Sequence, residues 1–222
     1  MFKGWFVPYD QKLFKLGYEA RVVIKTAKEV VNLARIFLGS KLDELGRDAI
    51  VSHITSINAN LFDQGLSFSK LEKAMIEYIS ISGIALNEIK PIDLSWSIEE
   101  KDEELEFLRS VLSYENARKF LSGFDNPQPK LLIIFPRDHW NRIKLAYAIS
   151  RLLLTHGLPS FIILSDRPLD QIPYIFDNLV IITDKMLPIR DPTRWTIINL
   201  KQAEGEHKAL NIDKTLKKVG YI

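Results

Sequence analysis

Apolar positions follow two different patterns on either side of a turn-rich stretch from Gly123 to Pro129. Before this stretch, apolar residues recur every three or four positions, which is the spacing of one face of an α-helix. The pattern therefore predicts a helical bundle or a helical cap. Helices are predicted at residues 9–38, 42–60, 69–86 and 99–121. Ser67 or Ser69 is the predicted cap of the third helix, and Glu72 stands at capping-box spacing from Ser69.

After Pro129, short runs of aliphatic and β-branched residues alternate with helical or turn-rich segments. Continuous apolar strands are typical of a sheet covered on both faces, and strand–helix–strand repetition indicates parallel, right-handed connections. Strands are predicted at residues 130–135, 160–164, 178–183 and 195–200, with a helix at residues 138–155. The predicted fold class is α/β: a helical N-terminal region (residues 1–124) followed by a small, mainly parallel Rossmann-like sheet flanked by helices (residues 125–222).

The net charge of +2 conceals an uneven distribution along the chain. Residues 1–125 carry 16 Lys and Arg against 19 Asp and Glu, a net charge of −3. Residues 126–222 carry 14 against 9, a net charge of +5. A basic α/β half favours phosphate-bearing partners, and uneven surface decoration is the alternative explanation.

Composition excludes several classes of protein. The chain of 222 residues has no cysteine, which excludes disulfides, thiolate metal sites and a cysteine nucleophile. No apolar run approaches the roughly 20 residues that span a bilayer, and the first residues do not form a signal peptide. We therefore expect an intracellular, cytoplasmic protein with no membrane partner. Absent cysteine, abundant isoleucine and frequent proline fit a thermophilic source.

Three predicted strands end in an acid next to a base: Arg137-Asp138, Asp166-Arg167 and Asp184-Lys185. The carboxyl ends of parallel strands share one edge of a sheet, and ligands bind there. The three aspartates are therefore the candidate catalytic residues. Together with His139 they are also candidate ligands of Mg²⁺ or Mn²⁺, which prefer oxygen donors.

Basic residues near the same edge are candidate phosphate-binding residues: Arg137, Arg142, Arg167 and Lys185. Two of the three acids also have a structural explanation. Asp138 suits the cap of the following helix, and Asp166 suits a turn before Pro168. His139 would then be an ordinary surface residue of a first helical turn.

Arg47 and His53, six positions apart in the predicted helical half, resemble the active motif of HEPN ribonucleases. The resemblance implies that the arginine stabilises a scissile phosphate while the histidine moves a proton. Other catalytic signatures are missing from the sequence. No glycine-rich loop follows the first α/β strand, no Gly-x-Ser-x-Gly elbow occurs, and the four histidines show no zinc spacing.

Residues 130–200 resemble a DHH-type phosphoesterase domain of the RecJ group. The resemblance depends on an apolar strand, Asp138, an apolar helix and two further strands. It implies Mn²⁺ held by strand-end aspartates and cleavage of phosphodiesters. However, only Asp138 stands where that family carries two aspartates one residue apart, and no Asp-His-His triplet occurs. The missing ligands imply an inactivated relative, of the kind that serves as a scaffold in replicative helicase complexes.

These observations predict a non-catalytic intracellular factor in a nucleic-acid-associated or multiprotein assembly, for example in replication or repair. The basic α/β half, the acidic run from Glu99 to Glu106 and the incomplete catalytic set favour this function. Two alternatives stay open. One is a metal-dependent phosphoesterase or nuclease that uses the three strand-end aspartates. The other is a nucleotide- or small-ligand-sensing domain that uses the same edge.

Overall fold

A computed structural model describes residues 19–26, 29–42, 48–64, 66–82, 103–125, 130–165, 179–186, 189, 192–200 and 215–221. These residues build one mixed sheet. Its seven strands are β1 (Glu19–Lys25), β2 (Val30–Leu42), β3 (Asp48–Asn58), β4 (Lys130–Ile134), β5 (Ser160–Leu164), β6 (Leu179–Thr183) and β7 (Trp195–Asn199). Their order across the sheet is β3-β2-β1-β5-β6-β4-β7. Strands from both halves of the chain therefore share a single sheet, joined where β1 pairs with β5.

Five α-helices of five or more residues accompany the sheet in the described part of the chain. They are α1 (Ala59–Asp63), α2 (Phe68–Ser82), α3 (Glu103–Val111), α4 (Tyr114–Ser122) and α5 (His139–Thr155). Short 3-10 helices cover Gly123–Asp125 and Pro192–Arg194. The buried residues of α3, α4 and α5 pack with one face of the sheet in the larger apolar cluster. A smaller cluster lies on the opposite face and includes Ile189, between β6 and β7.

The prediction of a helical N-terminal region is wrong. The segment predicted as the first helix contains β1 and most of β2, which pair antiparallel, and its residues 9–18 lie outside the described part. Thr26 N–H donates to Val30 O over 2.8 Å at the hairpin turn, where Glu29 has a φ of 56°. In a stretch this rich in apolar residues, the same positions fit the spacing of a helix by coincidence and the spacing of a strand as well. The β-branched runs, and hydrogen bonds to distant strands, favour the sheet.

The second predicted helix is also wrong, because β3 occupies most of it and only the short α1 follows. The third is confirmed by α2 as far as Ser82, beyond which residues 83–86 lie outside the described part. The fourth is two helices, α3 and α4. The chain breaks at Ser113, whose side chain accepts from Asn116 N–H and caps α4.

The C-terminal half follows the prediction. Strands β5, β6, β4 and β7 are parallel neighbours in that order. Asp138 is the N-cap of α5, and Gly157 follows the helix with a φ of 84°, in the left-handed region that suits glycine. The sheet as a whole is mixed, since the parallel arrangement holds only in this half.

Candidate functional site

The carboxyl ends of β4, β5 and β6 meet at one edge of the sheet, which we call the carboxyl edge. Phe135 N–H donates to Thr183 O, and Ser165 N–H donates to Ile182 O, so the three strands end at nearly the same level. The connection after β4 passes through α5 on one face. The connection after β6 places Ile189 on the other face. Neighbouring strands whose connections leave to opposite faces form a crevice where ligands bind in such sheets.

Two of the three predicted aspartates lie at this edge within the described residues. Asp138 is exposed, and its carboxylate accepts hydrogen bonds from Asn141 N–H and from the Asn141 side-chain amide. These hydrogen bonds lower the pKa of Asp138. Asp184 is partly buried, and its Oδ1 has no hydrogen-bond partner among the described residues. Asp166 and Arg167 lie outside the described residues.

The remaining predicted residues differ in exposure. Arg137 and Lys185 have exposed side chains directly after β4 and β6, whereas Arg142 is buried in α5. Arg142 donates from Nη1 to the backbone oxygen of Arg137 over 2.8 Å and therefore supports the turn. Within the ranges that the structure describes, no three His, Asp or Glu side chains form a group suited to a metal ion.

A residue that the sequence did not single out also reaches the carboxyl edge. Because β1 runs antiparallel to β5, its first residue Glu19 pairs with Leu164, the last residue of β5. His139, at the start of α5, places Nε2 at 3.8 Å from Glu19 Oε2. Burial alone would raise the pKa of Glu19, but the charges of Arg21, Arg35 and His139 and a hydrogen bond from Arg21 outweigh it and lower that pKa.

Behind Glu19 lies a buried ion-pair network. Arg21 of β1 and Glu72 of α2 are 0% and 1% exposed. Arg21 Nε donates to Glu72 Oε2 and Nη2 donates to Oε1, both over 2.6 Å, and Nη2 also donates to Glu19 over 2.9 Å. The Tyr147 hydroxyl of α5 donates to Glu72 Oε2 over 2.5 Å. Burial alone would lower the pKa of Arg21, but Glu72 outweighs it, so the guanidinium stays charged.

Strand pairing aligns three cationic or titratable side chains in one row. Arg21 pairs with Arg35 across β1 and β2, and Arg35 pairs with His53 across β2 and β3. Directly opposed residues of neighbouring strands point to the same face. Like charges at such positions are destabilising, so the row requires the carboxylates that face it. Glu72 and Glu19 supply these charges.

Two members of the row, Arg35 and His53, contact the same aromatic ring. The Arg35 guanidinium lies 4.1 Å above the Phe37 ring centroid, and His53 contacts the same ring edge-on with centroids 5.1 Å apart. Arg35 Nε is 3.5 Å from Glu72, and its Nη2 is 3.7 Å from Glu19. Burial, followed by the charge of Arg35, lowers the pKa of His53.

A second buried ion pair fixes the helix that carries Glu72. Glu104 of α3 accepts from Arg151 Nε of α5 over 2.7 Å and from the backbone N–H of Ser69 over 2.7 Å. Arg151 also donates to the Leu66 carbonyl and lies over the Phe68 ring. In the predicted capping box, Glu72 would accept a hydrogen bond from the backbone N–H of Ser69. Glu104 accepts that hydrogen bond instead, and Glu72 pairs with Arg21.

The HEPN-like interpretation of Arg47 and His53 does not fit the fold. His53 lies in the middle of β3 rather than in a helix, and Arg47 lies outside the described residues. The arginine beside His53 is Arg35, which comes from the neighbouring strand. One sequence signal was available for this site, since Arg21 and Arg35 interrupt runs of β-branched and aliphatic residues. A charge at an inward strand position needs a partner, but the sequence did not show which one.

No protein-family model, no curated protein and no solved structure matches the chain. The resemblance of residues 130–200 to a DHH-type domain therefore stays a prediction. Among the described helices, none is both long and apolar enough to cross a membrane.

Proposed function

We propose that this protein is a non-catalytic factor that binds nucleic acid through the phosphate backbone at its carboxyl edge. One observation carries the proposal. Arg137 and Lys185 follow adjacent parallel strands, expose their side chains at the crevice and make no ion pair within the described part of the chain. Unpaired, exposed cations at a ligand-binding edge are suited to a solvent-accessible anion.

The charge of the surrounding half supports a polyanion as the ligand. Residues 126–222 carry a net charge of +5, which attracts phosphate groups over a distance of several ångströms. The two cations come from neighbouring strands, whose spacing is about 5 Å. Such an arrangement contacts phosphates without reading bases, so the binding is expected to be independent of sequence.

The hydrogen bonding of Asp138 favours binding over hydrolysis. Asp138 caps α5 through two hydrogen bonds from Asn141 and is partly compensated by the positive end of the helix dipole. It is therefore occupied by a structural task. A metal-dependent hydrolase would need a further arrangement of carboxylates around a metal ion.

The proposal is tested by fluorescence anisotropy with a labelled single-stranded oligonucleotide over a range of salt concentrations. Each phosphate contact contributes about 0.7 to the slope of log K against log salt for a single strand. Replacing Arg137→Glu and Lys185→Glu together is expected to abolish binding at moderate salt. Replacing both by Gln is expected to reduce the slope by about 1.4.

A matched control is Lys217→Glu with Lys218→Glu. These exposed lysines lie next to Thr215, which bonds to His156 at the C-terminal end of α5, on the opposite edge of the sheet. The control makes the same change in net charge and should retain most of the binding. An equal loss in the control would contradict a site at the carboxyl edge. Mn²⁺-dependent cleavage would contradict the non-catalytic role, and competition by free nucleotide at equal concentration would favour a small-ligand site instead.

A further inference from the structure

Arg35 and His53 are neighbours on the sheet whose polar atoms are incompletely satisfied. Arg35 Nε and His53 Nδ1 are buried, and neither has a hydrogen-bond partner in the described part of the chain. The carboxylates of Glu72 and Glu19 approach the Arg35 guanidinium only to 3.5 Å and 3.7 Å. Buried polar groups are normally paired with protein, water or a ligand, so two adjacent exceptions indicate a missing partner.

Phe37 holds both groups in place. Its ring lies under the Arg35 guanidinium and against the edge of the His53 imidazole. A planar guanidinium fixed on an aromatic face keeps its donors in a rigid fork, which matches the oxygens of phosphate or carboxylate. Both side chains are partly exposed, since Arg35 is 15% exposed and His53 is half-buried.

The charges around this pair are balanced when His53 is neutral. Arg21 and Glu19 face it from β1, Glu72 faces it from α2, and α5 contributes Tyr147 and His139. Two arginines then oppose two glutamates. An anion that entered alone would add its full negative charge to the cluster, whereas an anion that entered with one proton on His53 would add one negative charge fewer.

We propose that Arg35 and His53 form a binding site for a small oxyanion, a phosphate monoester or inorganic phosphate, that is taken up together with a proton on His53. The guanidinium donates to the anion, and the protonated imidazole donates from Nδ1. The site is separate from the proposed nucleic-acid contact, since Arg137 and Lys185 take no part in it. Either proposal can fail without the other.

The electrostatics of His53 agree with this coupling. Burial and the neighbouring Arg35 lower the pKa of His53 when the site holds no anion. A bound anion opposes the charge of Arg35 and supplies an acceptor, so it raises that pKa. By linkage, the anion then binds more tightly as the pH falls.

The first experiment uses sulfate as the probe, because sulfate keeps the same charge across the relevant pH range. The His53 imidazole resonances of the 222-residue chain are followed by NMR from pH 5 to pH 8, with and without sulfate at constant ionic strength. Sulfate is expected to raise the pKa of His53. A rise of about one unit corresponds to about tenfold tighter binding to the imidazolium form.

Variants separate recognition from folding. His53→Gln should remove the pH dependence of sulfate binding, and Arg35→Gln should abolish binding and raise the pKa of His53 in sulfate-free buffer. Arg35→Lys retains the charge without the fork and should bind at least tenfold more weakly. His156→Gln is the control, since His156 bonds to Thr215 at the far end of α5 and should leave sulfate binding unchanged.

Two further arms identify the source of the anion. Inorganic phosphate should compete with sulfate, and a 5′-phosphorylated oligonucleotide should compete better than its 5′-hydroxyl counterpart if a nucleic-acid end is the ligand. The wild-type titration needs no variant to fold. If sulfate leaves the His53 resonances and their pKa unchanged in the wild-type protein, the proposal is overturned.

Discussion

Arg21 of β1 donates two hydrogen bonds, each 2.6 Å long, to the Glu72 carboxylate of α2, and both side chains are buried. This pair links the N-terminal strands of the sheet to the helical layer. It also allows Arg21 to lie directly opposite Arg35 across the strand pair. Without Glu72, two guanidinium groups would face each other inside the protein with only the partly exposed Glu19 to balance them.

Replacing Glu72 by Gln is expected to destabilise the fold strongly. The change preserves the volume but leaves buried Arg21 with only the partly exposed Glu19 as a carboxylate partner. Breaking a buried ion pair in this way costs about 3–5 kcal/mol in the free energy of unfolding. The measurement is urea denaturation followed by circular dichroism. Glu103→Gln is the control, because Glu103 pairs with Lys70 at the surface over 3.2 Å, and such pairs contribute about 0–1 kcal/mol. Similar losses in the two variants would show that the Arg21–Glu72 pair contributes little.

Replacing Tyr147 by Phe is expected to lower the free energy of unfolding by about 1.5–3 kcal/mol, since a hydrogen bond to a charged group is lost. The variant should also change the alkaline pH dependence. Burial and Glu72 raise the pKa of Tyr147 above its ordinary value of 10.0, so its contribution is present below pH 10 and lost as the pH rises further.

Denaturation curves between pH 9 and pH 11 test the Tyr147 prediction. The free energy of unfolding of Tyr147→Phe should fall less steeply with pH than that of the wild type. The pH slope of Tyr221→Phe provides a comparison with that of Tyr147→Phe, because burial also raises the pKa of Tyr221. Slopes that are equal in the wild type and in Tyr147→Phe would contradict the raised pKa.

Replacing His53 by Gln is expected to reduce the loss of stability in mild acid. The folded protein holds the pKa of His53 below its ordinary value of 6.5, so the unfolded chain binds the proton more readily. The stability associated with neutral His53 is therefore present above pH 6.5 and lost as the pH falls below it. Free energies of unfolding at pH 7.5 and pH 5.5, in sulfate-free and phosphate-free buffer, measure the effect. If the free energy of unfolding of His53→Gln falls between pH 7.5 and pH 5.5 by as much as that of the wild type, the lowered pKa of His53 is contradicted.

Asp138 can be tested as a helix cap independently of any metal chemistry. Asp138→Ala removes the acceptor for Asn141 N–H and should lower the melting temperature. Asp138→Ser retains a capping oxygen while it removes the carboxylate, and should restore most of the stability. A hydrolase that used Asp138 as a ligand would lose activity in both variants. If Asp138→Ala and Asp138→Ser lower the melting temperature equally, Asp138 does not stabilise the protein as a helix cap.

Local sequence determined much of the C-terminal half. The apolar runs of β4, β5 and β6 are buried on both faces, and such runs have few alternatives to a central parallel strand. The sequence predicted the ends of α5 from the helix-capping residue Asp138 and from Gly157, which follows the helix. The carboxyl edge, with Arg137 and Lys185, followed from these elements because parallel strands end on the same side.

The N-terminal half was decided by tertiary structure. Its apolar residues fit both a helical and a strand pattern, and the choice depends on partners that are distant in sequence. Arg21 is 51 residues from Glu72, and its alignment with Arg35 and His53 depends on strand register. Register is set by backbone hydrogen bonds and by which face is buried, and neither is encoded in any single segment. The sequence alone determined that charges lie within apolar strands, and only the folded sheet determined that they meet.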